Sequence, residues 1–257
     1  MKIGAQFYTI RDFCTTTKDL DESLKKVADI GYEDIQLSGV CSYEPEWMAE
    51  KLKAYGLKAQ ITHFGPERYI NETEYMIRLH DIIGARYMGI GGFSGLLGTE
   101  FTPELLDAKM KAVGPAIKAI SKAGHKFMYH NHNKEFCRMA DGRTVLEHIC
   151  DYYPADLMGI TLDTYWVVAG GADPCQWLRA LKGRVNCIHF KDMNFDMKED
   201  HIIMAPIGEG NMNYEGIIEA CRDADVEYAF IEQDNCNGED PFDCLRRSLK
   251  YFRDRGF

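Results

Sequence analysis

LDESLKKVADIGYEDIQLSG, residues 20–39, contains the alternation that decides the fold. Leu20, Leu24, Val27 and Ile30 recur at steps of three and four, which gathers apolar side chains on one face of a helix over about Leu20 to Ile30. Gly31 then supplies the left-handed conformation that ends a helix at low cost. EDIQLSG follows with the short, β-rich character of a strand. This unit returns along the chain. Gly56 precedes LKAQITHF, Gly84 precedes ARYMGIGG, Gly124 precedes HKFMYHNH and Gly183 precedes RVNCIHFKD. With Lys2 to Tyr8 at the start, LMGITLDTYW sixth and EYAFIEQD last, there are eight β-runs, each followed by a helical segment.

Strands alternating with helices build a parallel sheet, and eight such units in 257 residues suit a closed α/β barrel. An open doubly wound sheet usually carries a glycine-rich phosphate loop after its first strand. QFYTIRDF has none, and GIGGFSGLLG (89–98), after the fourth run, lacks phosphate-binding spacing. Those glycines read instead as a flexible βα loop over the rim. The expected architecture is a (β/α)8 TIM barrel, one domain over residues 1–257.

The net charge of −10 disfavours nucleic acid, which calls for a basic face. No stretch approaches the roughly 20 apolar residues of a membrane helix. MKIGAQFYTIRDF has no signal-peptide core, so the cytoplasm is the expected location. Nine cysteines there should be reduced thiols, and none forms a CxxC pair.

In such a barrel the chemistry gathers where strands end. The polar residues at those ends are Gln6 and Tyr8, Gln36, His63, His130 with Asn131 and His132, Asp163, His189 with Lys191 and Asp192, and Glu232. Most follow apolar runs, as in FMYH, GITLD, CIHF and AFIE, where a polar group is costly unless it is paired or bound. His130 or His132, Asp163, His189 and Glu232 form a candidate metal site from four successive strands. Mixed imidazole and carboxylate ligands suit Mn²⁺, Fe²⁺, Co²⁺ or Zn²⁺ better than Ca²⁺.

YHNHNKEF (129–136), LDTYWVVAGGADP (162–174), HFKDM (189–193), IGEGNMNY (207–214) and IEQD (231–234), in this order and spacing, resemble the xylose isomerase-like superfamily, in particular its sugar phosphate isomerase/epimerase branch. The resemblance covers nearly the whole chain. It implies one divalent metal, Mn²⁺ first, with Zn²⁺, Fe²⁺, Co²⁺ and Mg²⁺ as alternatives. The implied ligands are His130, Asp163, His189 and Glu232, with His130 standing where many relatives have Glu. The resemblance also implies proton transfer at a carbon next to a carbonyl, through an enediolate, by two opposed groups. Glu232 matches one of them. Because a metal-bound imidazole is a poor acid or base, His132 becomes the candidate for the other. Glu135 reads as a loop-surface carboxylate more readily than as a substitute acid.

Tyr8, Gln36, His63, Trp166, Lys191 and Glu209 are the candidate substrate contacts. Trp166 stands where related epimerases often have a substrate-contacting His, and its face suits the apolar side of a sugar ring. Lys191 and Asp192 are expected to pair with each other by default, and the glycines flanking Glu209 suggest a tight turn. Arg11 is placed to reach an anionic group, while Phe64 and Tyr165 add aromatic surface. The expected partner is a small sugar or sugar derivative, with no nucleic acid or membrane; a homo-oligomer agrees with the resemblance. A sugar isomerase or epimerase is the first reading. The second is a lyase or dehydratase on a keto-sugar, keto-inositol or 3-keto-glycoside. A non-enzymatic sugar-binding subunit and an abasic-site endonuclease follow, the last opposed by the acidic charge.

Overall fold

The apolar runs behind the helix-stopping glycines pair side by side in the computed structural model, which describes residues 1–93, 98 and 101–257. The strands are β1 (Lys2–Gln6), β2 (Asp34–Leu37), β3 (Lys58–His63), β4 (Tyr87–Ile90), β5 (Lys126–His130), β6 (Met158–Asp163) and β7 (Cys187–Phe190). A hairpin of β8 (Asp192–Asp196) and β9 (His201–Ala205) follows, and then β10 (Tyr228–Ile231). All barrel pairs are parallel, and β10 joins β1 through Lys2↔Tyr228 to Ala5↔Ile231, which closes the ring. The α/β barrel read from the sequence is therefore observed. The hairpin was not expected. The glycine-rich rim loop falls partly on residues 94–97, 99 and 100, outside the described residues.

Local chemistry moves two boundaries. The first helix is Thr17–Ile30, longer than the apolar spacing implies, because its first turn is a polar cap in which Thr16 Oγ1 accepts the Asp19 N–H at 3.2 Å. It ends on Gly31 at φ 107°, a conformation that side-chain-bearing residues rarely adopt. The first strand stops at Gln6, whose Oε1 accepts the Tyr8 N–H at 3.2 Å and starts a 3₁₀ turn over Phe7–Phe13.

Two apolar layers result. Ile61, Tyr87, Met128, Cys187 and Phe230 fill the barrel interior, and a larger cluster lies between the sheet and the helices. Gly159 admits the Met128 side chain, since a Cβ there would overlap its sulfur. Cys187 is thus a core residue, as its apolar run suggested. All nine cysteines are free thiols. No helix among the described residues is long and apolar enough to cross a membrane.

β3, which ends on His63, is fastened to the helix Thr73–Ile83 by a buried histidine. His80 Nδ1 donates to the Met76 carbonyl at 2.6 Å, so Nε2 accepts from Thr62 Oγ1 at 2.7 Å. Burial pushes the His80 pKa down to about 4. The native imidazole stays neutral while the unfolded one takes a proton near pH 6.5. Stability from this group is complete above that pH and falls as pH drops toward 4, by about 3 kcal/mol at most. Urea unfolding at pH 7 and pH 5 should show the loss. In His80→Gln the pH-dependent part should shrink by about 2 kcal/mol, and an unchanged pH dependence would exclude His80 as its source.

Candidate metal centre

The barrel register brings the four proposed ligands together. Asp163 at the end of β6 lies directly opposite His189 in β7. His130 ends β5, and Glu232 follows β10, its N–H bonded to the Phe190 carbonyl at 3.0 Å. All four side chains are buried, and one donor atom from each lies within 4.8 Å of the others. Of the two histidines, His130, the last residue of β5, is the one whose donor atom falls within this cluster. His130 Nε2 is 3.3 Å from Asp163 Oδ2, whereas His132 sits beyond, its ring 4.8 Å from that of His130.

These atoms converge on a point without bonding one another well. His189 Nδ1 is 2.8 Å from Glu232 Oε2 and 3.6 Å from Asp163 Oδ2, yet neither His189 Nδ1 nor Glu232 Oε2 makes a hydrogen bond of acceptable geometry. His189 Nε2 faces Gln36 Oε1 at 2.8 Å and must donate to it. Nδ1 faces two carboxylates, so it either carries a proton itself or, once deprotonated, offers a lone pair beside them to a bound cation. Asn131 Oδ1 accepts the Asp163 N–H at 3.0 Å and Asp163 Oδ1 accepts the Trp166 N–H at 3.1 Å, which holds Oδ2 toward the cluster. The donor set of two imidazoles and two carboxylates fits a divalent transition metal.

A fixed ammonium shares the site. Lys191 is 2% exposed, with Nζ 3.0 Å from both Asp163 Oδ2 and Glu232 Oε2 and 2.9 Å from Asp234 Oδ2. Burial alone would lower its pKa, but Asp163, Glu232 and Asp234 outweigh burial and raise it. Burial likewise works to raise Asp163 and Glu232, and the Lys191 charge reverses this and holds both below the usual carboxylate range. His189, which burial would lower, is raised to about 9 by Glu232 and Asp163. His130 is pushed down to about 3, first by burial and then by His189. Burial also lowers His132, leaving a neutral imidazole at neutral pH.

A cavity of about 320 Å³ opens over the cluster. Tyr8, His63, His132, Trp166 and Lys191 line it, with Gln6 and Arg11. Lys191 Nζ lies 5.5 Å from the Trp166 ring centroid, and the His132 ring lies tilted against it with centroids 5.5 Å apart. Trp166 offers an indole N–H with no partner, and the buried Gln6 Nε2 and His63 Nε2 are also unpaired. Arg11 stacks on Tyr8 at 4.4 Å and donates to the Asp234 carbonyl at 3.0 Å.

Several expectations need correction. Gln36 is fully buried behind His189, where it orients a ligand. Glu209 is not brought to the cavity, because the turn points its carboxylate at Arg247 Nε, 3.0 Å away. The flanking glycines serve that turn: Gly208 and Gly210 N–H groups donate to Asp192 Oδ2 at 2.9 and 3.1 Å. Asp192 is therefore a loop clasp and does not pair with Lys191. Glu135 is fully buried, accepting from Tyr129 Oη at 2.8 Å and the His132 N–H at 2.9 Å. Asp234, within the quoted IEQD, went unread; its place two residues after Glu232 was the signal, since side chains of extended chain repeat with period two.

The sequence profile of the family described as xylose isomerase-like TIM barrel matches residues 24–255. A curated relative, inosose dehydratase of Geobacillus kaustophilus (strain HTA426), is 22% identical over 200 residues, 70% of this chain and 64% of its own length. A sugar phosphate isomerase/epimerase from Parabacteroides distasonis ATCC 8503 superposes with a TM-score of 0.82 at 19% identity, covering 99% of this chain and 94% of that one. An L-ribulose 3-epimerase gives 0.77 at 14% identity, covering 98% and 94%. At these identities the solved structures speak for the fold.

Gln36→Leu removes the acceptor that fixes His189 and should weaken Mn²⁺ binding roughly 10- to 100-fold in calorimetric titration of chelator-treated protein. Glu209→Ala should leave the affinity within about twofold, as expected for an exposed ion pair. An equal loss in both would mean that Gln36 does not orient a ligand.

Proposed function

The chain belongs to the xylose isomerase-like TIM barrel family, and we propose that it is a divalent-metal-dependent sugar isomerase or epimerase. The observation that carries this reading is the buried convergence of His130, Asp163, His189 and Glu232 beneath a cavity with unpaired donors. A bound divalent cation, Mn²⁺ first, would supply Lewis-acid stabilisation of negative charge developing on substrate oxygen. Glu232, held ionised, is the base that takes a proton from the carbon next to a carbonyl. His132 faces the same cavity; as the neutral imidazole it removes a proton on the other side, and as the imidazolium so formed it returns that proton in the opposite direction of turnover. The Lys191 ammonium and the Trp166 and Gln6 N–H groups hold the substrate oxygens.

One observation favours a second reading. Imidazoles stand at positions 130 and 132, so two opposed carboxylates are not available, and a His132 imidazole that itself takes the carbon-bound proton becomes an imidazolium able to deliver that proton to a leaving oxygen. The same proton abstraction would then end in β-elimination, a lyase or dehydratase outcome. The inosose dehydratase similarity agrees with it.

Incubation of the Mn²⁺-loaded protein with ketoses, inososes and keto-glycosides in D₂O separates these outcomes. Deuterium should appear at the carbon beside the carbonyl. Retention of all substrate atoms marks isomerisation or epimerisation, and loss of water or an alcohol marks elimination. Glu232→Gln should slow exchange at least about 100-fold, and His132→Asn should slow turnover about 100-fold or more. Exchange that survives both Glu232→Gln and chelation would refute the proposal.

A further inference from the structure

The segment that follows Glu232 carries a pair of thiols that the metal centre does not use. Cys236 is half-buried in NCNGED (235–240), and Cys244 is 1% exposed in the first turn of the helix Pro241–Arg253. The two side chains are hydrogen-bonded to each other. Cys236 Sγ also lies 4.0 Å from the Gln233 carbonyl, and Arg247 Nη2 lies 3.9 Å from Cys244 Sγ. The bond from Cys244 holds the Cys236 thiol below its ordinary pKa against the opposing effect of burial, and Arg11 adds to the lowering. Cys14 and Cys41 also neighbour each other, joined by a backbone hydrogen bond of 2.8 Å, but burial pushes Cys14 up to about 12 and raises Cys41 as well. A partly accessible thiol, lowered in pKa and beside a second thiol, has the features of a cysteine that reacts with peroxide.

We propose that Cys236 and Cys244 form a reversible oxidation site, at which hydrogen peroxide converts the thiol pair to a disulfide and so loosens the hold of Asp234 on Lys191. The Cys236 thiolate attacks one peroxide oxygen and, after proton transfer, gives the sulfenic acid and water. The Cys244 sulfur then attacks the Cys236 sulfur and expels a second water, so two thiols and one H₂O₂ become one disulfide and two H₂O. A dithiol reductant reverses the change. Bonded sulfurs stand about 2.05 Å apart, closer than hydrogen-bonded ones, so closure draws Cys236 toward the helix. Asp234, two residues earlier, takes up the shift; it grips Lys191 Nζ with both carboxylate oxygens, at 3.0 and 2.9 Å. A Lys191 released from Asp234 keeps Asp163 and Glu232, whose oxygens belong to the metal cluster, and its ammonium then competes with a cation there. This last step rests on the reading of the cluster as a metal site.

Both cysteines fall in one tryptic peptide, residues 223–246, which makes the bond directly readable. The chelator-treated full chain is exposed to hydrogen peroxide, freed of it, denatured, alkylated and digested. The peptide should escape alkylation at both cysteines and weigh two hydrogens less than its reduced form, and dithiothreitol should restore labelling. In Cys244→Ser, Cys236 should stop at a sulfenic acid that dimedone traps; in Cys236→Ser, Cys244 should stay alkylatable. Calorimetric titration of the oxidised full chain should show Mn²⁺ binding about tenfold weaker than in the reduced chain. Cys236→Ser should bind alike before and after peroxide. A peptide still alkylated at both cysteines, or Cys236 oxidised without joining Cys244, would overturn the oxidation site. A disulfide that leaves Mn²⁺ affinity unchanged would overturn its link to Lys191. Absence of Mn²⁺ binding in the reduced chain would overturn the metal reading and the link that rests on it, while peptide mass still decides the disulfide.

Discussion

The burial of several formal charges in one dry spot governs this molecule. Asp163, Glu232 and Lys191 are each nearly or fully removed from solvent, and each ion alone would cost several kcal/mol to place there. They are tolerated because the ammonium lies 3.0 Å from both carboxylates and His189 Nδ1 lies 2.8 Å from Glu232 Oε2. Much of the neighbouring polar structure keeps that arrangement in place. Asn131 and Gln36 hold Asp163 and His189 from behind, and Thr164 Oγ1 donates to the His189 carbonyl at 3.2 Å. Without this scaffold, one loosened partner would leave its opposite number charged and unpaired.

The two halves of the barrel divide the labour. Below, Ile61, Met128, Cys187 and Phe230 make a packed apolar interior. Above, the interior side chains become His63, His130, His189 and Glu232, and polar atoms without partners collect. The change occurs within two or three residues along each strand. A rigid floor directly beneath the ligands suits a site that needs fixed donor positions.

Much of this was legible in the sequence, for reasons that differ by residue. Asp163, His189 and Glu232 stand out because each ends an apolar run, and the strands behind them are regular. The choice between His130 and His132 depended on where β5 stops, which periodicity does not resolve. Glu135 was misread because KEF resembles an exposed polar turn, and only the 3₁₀ fold-back over Lys134–Phe136 tucks its carboxylate under Tyr129. The Lys191–Asp192 pairing failed on a principle available beforehand: successive residues of extended chain project to opposite sides. The hairpin was also foreshadowed, by the two short runs DMNFD and HIIMA on either side of a charged turn. Gln36 was found as a pocket candidate but not as a support, since no local pattern links position 36 to position 189.

The ligands are contributed by strands far apart in the chain, and the last, Glu232, comes from the strand that seals the ring against β1. A growing polypeptide would therefore hold three of the four donors, without the fourth, from residue 189 until residue 232. A metal held by these four donors would be gripped fully only when the final strand has emerged and docked. Capture of such an ion would act as a latch on the finished barrel, stabilising the closed chain by mass action while offering less to any partly assembled form. Acquisition of a metal and completion of the fold would then be one event.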